Sequence, residues 1–369
     1  MVIATPSDVL VFSLDAYFKD KKPRIKHVLN IASGKNASKY DGLYNAKSQY
    51  DGGKGLTRSR GWLYGFIGNE EMSSFCAIGF DGLNSIFFNE IRTDGKTISV
   101  EDGLSDFKYN AKTATAKLED KRKTITWKGL APEFEVDITI KNGKDELSLH
   151  YSFTKLNEKI GPYRGVFEQY QQIQGNFTLS PVKGKLTINA KGDISKLGYA
   201  DLKPLIGKII ESNFAYVEVA HVAIPFISVG WKWSILGCQK HFDQGINLEK
   251  FAGFFELFVT PTHTQIPLNY NLYSIDLATG QINVVPTADV QENGNNFTVE
   301  NTDAQIKLEI QNNPSKTYEI KGKKLAHYFS TADIKYTAYT CIAKATISGK
   351  EYKAIGNSEQ AGGNKNYWL

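Results

Sequence analysis

Long apolar runs and secretory features are absent from this chain of 369 residues. No stretch approaches the roughly 18 consecutive apolar residues that a membrane-spanning helix requires. The amino-terminal segment has no basic region before its apolar stretch and no small-residue cleavage site, so we expect no signal peptide. The sequence therefore predicts a soluble, cytoplasmic protein without a membrane span.

Cysteine is scarce, because only Cys76, Cys238 and Cys341 occur and they lie far apart. The absence of a CxxC pair excludes zinc ribbons and dithiol redox motifs. One disulfide is conceivable, but three buried free thiols in a reducing compartment is the simpler interpretation. None of the six histidines lies two or four residues from another, so a local metal-binding motif is absent and we predict no metal.

The common motifs of cofactor enzymes and hydrolases are also missing. The chain contains no GxGxxG, GxxxxGK[ST], HExxH or GxSxG sequence, which leaves no sign of a dinucleotide site, a P-loop, a zinc protease or an α/β-hydrolase. We predict that no cofactor is used. The net charge of +5 is spread along the chain, and the densest basic run, at 19–26, is short and interrupted. We therefore expect no nucleic-acid partner.

What the chain does have is a repeated alternation of apolar and polar residues. Apolar side chains occupy every second position over Val136–Ile140 and again over Leu147–Phe153, and Asn142-Gly143 lies between the two segments. This pattern is typical of a β-hairpin. Similar alternation recurs at 107–127, 306–310 and 336–355. A chain of hairpins with one apolar face must close into barrels or sandwiches, so we predict an all-β protein.

The alternation is interrupted once, near the middle of the chain. Apolar residues repeat at helical spacing between Leu202 and Ile210, and Pro204 would lie in the first turn. We therefore predict a short helical linker at 193–213. It would join an N-terminal β-barrel or sandwich at 1–192 to a C-terminal β-barrel at 214–369, because a chain of this length suits two domains of about 150–200 residues.

Several short motifs follow one another from residue 163 onward. A strand carries Glu168-Gln169, a later strand carries Trp231-Lys232-Trp233, and the terminal strand has the form Gly356…Glu359…Gly362. In layout this part of the chain resembles the lipocalin-like two-barrel superfamily, which includes carotenoid 1,2-hydratases and the lipocalin-fold Diels–Alderases and cyclases. The resemblance implies two calycin-like antiparallel β-barrels, of which the C-terminal one is lipocalin-like.

The resemblance also implies a ligand pocket in or between the two barrels and cofactor-free chemistry on a hydrophobic polyene, polyketide or aromatic alkaloid. The chain departs from the hydratases at 193–196, where Asp-Ile-Ser-Lys replaces their His- and Trp-rich motif, and this argues against water addition. The aromatic content of 12% fits an aromatic-lined cavity, but it also fits simple β-propensity.

Residues that share one face of a predicted strand form two candidate groups. Glu168, Tyr170 and Gln172 lie at alternate positions, which suits either a solvent surface or the polar end of an apolar pocket. Trp231 and Trp233 share a face, with Lys232 on the other side, and two indoles could form a barrel floor or one wall of a site for a flat ligand.

Single polar residues are further candidates, and each could instead be an ordinary structural or solvent-facing residue. His221 follows Glu218 by three residues, so the two lie on opposite faces of a predicted strand and one of them points inward. His241 and Asp243 would lie side by side on an extended segment, as in a general-base pair. Glu256 is embedded in aromatic residues and would be a general acid if it points inward. We predict catalytic roles for Glu168, His221, His241 and Glu256, and substrate contacts for Tyr170, Gln172, Trp231, Trp233, Asp243 and Phe254.

These features together predict a cofactor-independent cyclase or related lyase or isomerase that forms carbon–carbon bonds in natural-product biosynthesis. Its pocket would lie at the barrel junction, and the protein would be a monomer or a homodimer. The alternative is a lipocalin-like carrier that binds a hydrophobic pigment or lipid without converting it.

Overall fold

Two compact units make up the chain: one comprises 32–164 and 176–221, and the other comprises 1–31, 165–175 and 222–369. The computed structural model describes residues 27–32, 59–69, 71–80, 85–93, 96–105, 107–110, 112–156, 163–169, 173–212, 214–223, 229–240, 248–259, 266–285, 288–320, 324–326, 329–330 and 334–363. Nearly all of these residues lie in antiparallel strands, so the predicted all-β fold class is confirmed.

The strands that precede residue 224 are β1 His27–Ala32, β2 Ser59–Gly68, β3 Met72–Phe80, β4 Ser85–Thr93, β5 Lys96–Ser105, β6 Lys108–Asn110, β7 Thr115–Glu119, β8 Lys123–Leu130, β9 Glu133–Asn142, β10 Asp145–Lys155, β11 Tyr163–Gln169, β12 Ile173–Lys191, β13 Ile209–Glu211 and β14 Phe214–Ala223. Eleven of them form a sheet in the order β5-β4-β3-β2-β14-β12-β10-β9-β8-β7-β6, while β13 pairs with β12 and β1 pairs with β11.

The remaining strands are β15 Val229–Gln239, β16 Leu248–Val259, β17 Ile266–Asp276, β18 Ile282–Val285, β19 Asp289–Asn293, β20 Asn296–Asn301, β21 Ile306–Ile320, β22 Lys324–Ala326, β23 Phe329–Ser330, β24 Ile334–Ile347 and β25 Lys350–Gly363. Nine of them form a second sheet in the order β18-β17-β16-β15-β25-β24-β21-β20-β19, and β22 pairs with β23.

The predicted hairpin is present as β9 and β10. Asn142 pairs with Asp145, and Gly143 occupies the turn with a φ of 61°, a conformation that favours glycine. The alternation continues through both strands, because every second residue of β10 from Asp145 to Phe153 is buried. The inward side chains of this hairpin join the core of the first unit, together with Ile125 and Trp127 of β8.

The segment predicted as a helical linker is helical only in part. Two short 3₁₀ helices, Ile194–Leu197 and Ala200–Leu205, are followed by β13, whose Ile210 pairs with Leu186 of β12. Pro204 lies inside the second 3₁₀ helix and Gly207 has a φ of 76°, so the helical spacing is not continued. The chain also divides differently from the predicted boundaries, because β14 pairs with β2 and β12 and belongs to the first unit.

The core of the second unit lies on one face of its nine-stranded sheet. Its members include Leu236 on β15, Phe254 on β16, Leu272 on β17 and Leu308 on β21. Strands near the two opposite edges of the sheet also contact each other, because β17 packs against β20 and β21. The sheet therefore curves around its apolar face, which becomes the interior of the unit.

All three cysteines are buried and none forms a disulfide, as the simpler interpretation of the sequence predicts. Burial raises the pKa of Cys76 well above the ordinary value and raises that of Cys238 to about 12. Both thiols are therefore protonated at neutral pH, and they act as small apolar core residues.

A buried polar chain links three strands of the first unit. Asn89 Nδ2 donates to the Tyr151 hydroxyl at 2.7 Å, and the Tyr151 and Ser74 hydroxyls lie 2.7 Å apart. Ser74 Oγ then donates to the main-chain oxygen of Glu90 at 2.7 Å, and Asn89 Nδ2 also donates to that of Phe75 at 3.1 Å. Strands β3, β4 and β10 are thereby fixed to one another on the core side.

We predict that Tyr151→Phe lowers the free energy of unfolding by about 2 kcal/mol, because it leaves buried polar groups of Ser74 and Asn89 without their shared partner. Urea denaturation of the full chain measures the change. Ser148→Ala, on the same strand but only partly buried, is the control and should be close to neutral. Equal losses for the two variants would show that the buried polar chain contributes nothing specific.

Candidate functional site

Several strands of the first unit are buried on both faces. On β2 and β3, Leu63, Ile67, Cys76 and Ile78 point into the core. The alternate residues of these strands and of β14 point to the opposite face, and they are buried too. Five aromatic residues lie there, namely Tyr64, Phe66, Phe75, Phe214 and Tyr216. We call this group the aromatic face.

The rings of the aromatic face lie nearly parallel over much of its width. Tyr64 stacks on Phe75 with centroids 5.4 Å apart and on Tyr216 with centroids 5.7 Å apart, at interplanar angles of 10° and 17°. Phe66 stacks on Tyr216 at 5.4 Å and meets Phe214 at 5.8 Å. Rings that lie nearly parallel in a row form the kind of surface on which a flat apolar molecule stacks.

Charged residues are buried beside these rings. Glu90 pairs directly with Phe75 across β3 and β4, and Arg92 pairs with Ser73, so both charges share the face of Phe75. Glu90 is 0% exposed and Arg92 is 7% exposed. Glu218 is also buried, and it lies two residues beyond Tyr216 on β14, which places it on the same face.

Arg92 is held from two sides. Its Nε donates to Oε1 of Glu90, and its guanidinium carbon lies 5.5 Å from the centre of the Phe75 ring. The ion pair compensates part of the cost of burying the charge, and the aromatic ring contributes a cation–π contact. The polar chain behind the sheet fixes the backbone of Phe75 and Glu90 from the core side. The guanidinium is therefore preorganised.

The two terminal nitrogens of Arg92 are buried and have no hydrogen-bond partner in the part of the chain that the structure describes. Oγ of Ser73, directly opposite on β3, is likewise buried without a partner there. Buried polar groups without partners are costly, and a guanidinium fork matches the two oxygens of a carboxylate or a 1,3-dicarbonyl enolate, or two of the three oxygens of a sulfonate. The arrangement of Arg92 and Ser73 fits an oxyanion attached to a flat apolar body.

Three of the sequence-predicted site residues lie on the second sheet with described side chains. Glu256 and Phe254 are buried on the interior face, where Glu256 Oε2 lies 3.5 Å from Nζ of Lys232. Trp233 lies on the other face, as the predicted alternation with Lys232 requires, and meets the edge of Phe255 with centroids 5.4 Å apart. Trp233 thus points away from Glu256 and Phe254, and these residues do not form one site.

The other predicted site residues cannot be placed as side chains. Glu168, His221 and Trp231 lie on β11, β14 and β15, but their side chains lie outside the described part of the molecule. Tyr170, Gln172, His241 and Asp243 lie outside the described residues altogether. Their proposed roles stay predictions.

Sequence reasoning missed Glu90 and Arg92. The signal was present, since β4 reads Phe88-Asn89-Glu90-Ile91-Arg92 and puts two opposite charges at alternate positions of an apolar strand. This pattern normally indicates a strand whose polar face meets solvent. Nothing in it shows that the second face is buried.

The described residues hold no group of three or more histidine, cysteine, aspartate or glutamate side chains placed to bind a metal ion. Within the same residues, no helix has the length and apolar character needed to cross a membrane.

Comparison with known proteins finds solved structures that cover most of this chain. One is an AttH protein from Nitrosomonas europaea, with a TM-score of 0.50 and 10% identity, and the match covers 86% of this chain and 95% of that one. Another is kievitone hydratase from Nectria haematococca, with a TM-score of 0.40 and 9% identity over 94% of this chain and 97% of that one. No protein-family model and no curated protein matches the sequence. The first likeness supports the lipocalin-like two-barrel fold, and it extends to the fold alone.

We predict that Glu90→Gln lowers the free energy of unfolding by about 3–5 kcal/mol, because it leaves the Arg92 charge buried without its counterion. The double variant Glu90→Leu/Arg92→Met should lose less than the single variant, since no buried charge remains. Thermal and urea unfolding measure both. Lys117→Met, which breaks an exposed ion pair with Glu119, is the control and should change nothing measurable. A double variant less stable than the single one would show that the pair is retained for stability.

Proposed function

We propose that the aromatic face binds a flat, largely apolar small molecule that carries an oxyanion or an enolisable carbonyl group, and that the protein converts this molecule without a cofactor. The reaction we assign is a cyclisation that forms a carbon–carbon bond, on a polyene, polyketide or aromatic alkaloid of natural-product biosynthesis. The observation that carries the proposal is the buried fork of Arg92, which lacks a partner among the described residues beside a wall of stacked rings.

Binding on such a wall would hold a flexible substrate in one folded conformer. Stacked rings restrict a conjugated chain to a plane, and the guanidinium fixes one end of it. Positioning of this kind can lower a reaction barrier by about 7–11 kcal/mol in well-oriented systems. The observed fold supplies the rigidity, because the rings belong to strands that are fixed on the core side by hydrogen bonds.

Arg92 would also change the electronic state of the substrate. A guanidinium that donates two hydrogen bonds to a carbonyl or enolate oxygen withdraws electron density from the attached double bond, and the effect is large where water is excluded. Glu90 would act through Arg92 by fixing its orientation. Glu218 places a carboxylate on the same face and is our candidate for moving a proton to or from the substrate.

Binding is tested with two fluorescent probes of similar shape, 8-anilinonaphthalene-1-sulfonate, which carries an oxyanion, and N-phenyl-1-naphthylamine, which carries no charge. We expect Arg92→Met to weaken binding of the sulfonate by about tenfold, the loss of a charge-assisted pair, and to leave the neutral probe nearly unchanged. Tyr64→Ala should weaken binding of both. Lys185→Met, at an exposed position of the same unit, is the matched control and should affect neither probe.

Turnover is tested with linear polyenes that end in a 1,3-dicarbonyl group, by following the loss of polyene absorbance without any added cofactor. We expect conversion by the wild type and a lower kcat for Arg92→Met and Glu218→Gln. Binding of the polyenes without conversion would favour the carrier function and contradict the cyclase. A sulfonate affinity that does not depend on Arg92 would contradict the site itself.

A further inference from the structure

The interior of the second unit contains a buried lysine that the proposed function does not use. Nζ of Lys232 lies 3.5 Å from Oε2 of Glu256 and also donates to Oε1 of Glu292. The Lys232 and Glu256 side chains are 8% and 6% exposed, whereas that of Glu292 is 47% exposed. One ammonium is thus shared by two carboxylates, and one of these is accessible from solvent.

The two carboxylates are held very differently. Glu256 lies directly opposite Lys232 on the adjacent strand and points into the interior, so it is the resident counterion. Glu292 belongs to β19, an edge strand whose residues are mostly exposed. A buried counterion is costly to remove, whereas an exposed carboxylate can return to water at little cost. Glu292 is therefore the displaceable partner of Lys232.

Beside Lys232 lie two hydroxyl groups that have no hydrogen-bond partner among the described residues. Ser234 and Ser358 pair directly across β15 and β25, and each is 2% exposed. Both hydroxyls point to the interior face, because Ser234 lies two residues from Lys232 and opposite Phe254. Buried hydroxyls without partners indicate that something else accepts or donates hydrogen bonds there.

The side chains in register with the two serines on the neighbouring strands are apolar or aromatic. The row runs from Leu272 through Phe254 to the two serines and on to Tyr339. The interior surface near Lys232 thus combines one ammonium with its buried counterion Glu256, two hydroxyl groups and flanking apolar side chains. This combination matches a carboxylate attached to a short apolar tail.

We propose that Lys232, Ser234 and Ser358 form a second binding site, for a small monocarboxylate, in which Glu292 is a built-in occupant that the ligand displaces. The ligand carboxylate would accept hydrogen bonds from the Lys232 ammonium and from the serine hydroxyls. The exchange leaves the charge around Lys232 unchanged, because one carboxylate replaces another. The site belongs to the second unit and does not depend on the aromatic face.

The test measures binding of hexanoate by isothermal titration calorimetry, with hexanamide as its uncharged counterpart. We expect Glu292→Gln to raise the affinity for hexanoate by about tenfold, because it removes an intramolecular competitor of high effective concentration. Hexanamide should bind more weakly than hexanoate to both proteins. Glu309→Gln is the matched control, since Glu309 is similarly exposed and paired with a lysine, and it should leave the affinity unchanged.

Ser234→Ala and Ser358→Ala should each weaken hexanoate binding. Arg92→Met should leave it within about twofold, because Arg92 belongs to the first unit and the proposed site consists of residues of the second. The proposal would be overturned if neither the wild-type protein nor the Glu292→Gln variant bound hexanoate. Equal affinities for hexanoate and hexanamide would also overturn it. Hexanoate binding that is lost in Arg92→Met would place the ligand at the aromatic face instead, and would contradict the second site while leaving the proposed function intact.

Discussion

The buried ion pair of Arg92 and Glu90 determines the chemistry of the second face of the first sheet. Successive side chains of a strand point to opposite faces, so a strand that is buried on both sides must bury whatever occupies every position. On β4, Phe87 and Ile91 fill the core while Glu90 and Arg92 fill the second face. Burying a charge is costly even when it is paired, and the unused hydrogen-bonding capacity of the guanidinium adds to that cost. A ligand that accepts hydrogen bonds from the terminal nitrogens of Arg92 would offset this cost, and it would explain why the charges are buried here.

The two faces of the first sheet are coupled through the backbone. The polar chain from Asn89 through Tyr151 to Ser74 ends on the main-chain oxygen of Glu90, so hydrogen bonds on the core side fix the strand that carries the ion pair. The second unit contains a related device on its interior face, where Lys232 is held between Glu256 and Glu292. In both units a cation is fixed by a buried carboxylate and lies close to buried polar groups that lack partners among the described residues.

Much of the fold could be predicted because it follows from alternation, which is local. The β9–β10 hairpin followed from this alternation and the Asn142-Gly143 turn, and the opposite orientations of Lys232 and Trp233 followed from the alternation alone. The helical interpretation of 193–213 held only for two short 3₁₀ helices, because Pro204 and Gly207 interrupt the apolar spacing and Ile210 pairs with Leu186 of β12. The Glu90–Arg92 site could not be predicted, since burial of a second face depends on tertiary packing that alternation does not encode.

The most direct measurement is a crystal structure of the protein soaked with 8-anilinonaphthalene-1-sulfonate. We predict that the sulfonate oxygens accept hydrogen bonds from both terminal nitrogens of Arg92, and that the naphthalene ring lies against Tyr64 and Tyr216. A structure in which a protein oxygen already occupies the guanidinium fork, with the probe bound elsewhere, would contradict this prediction.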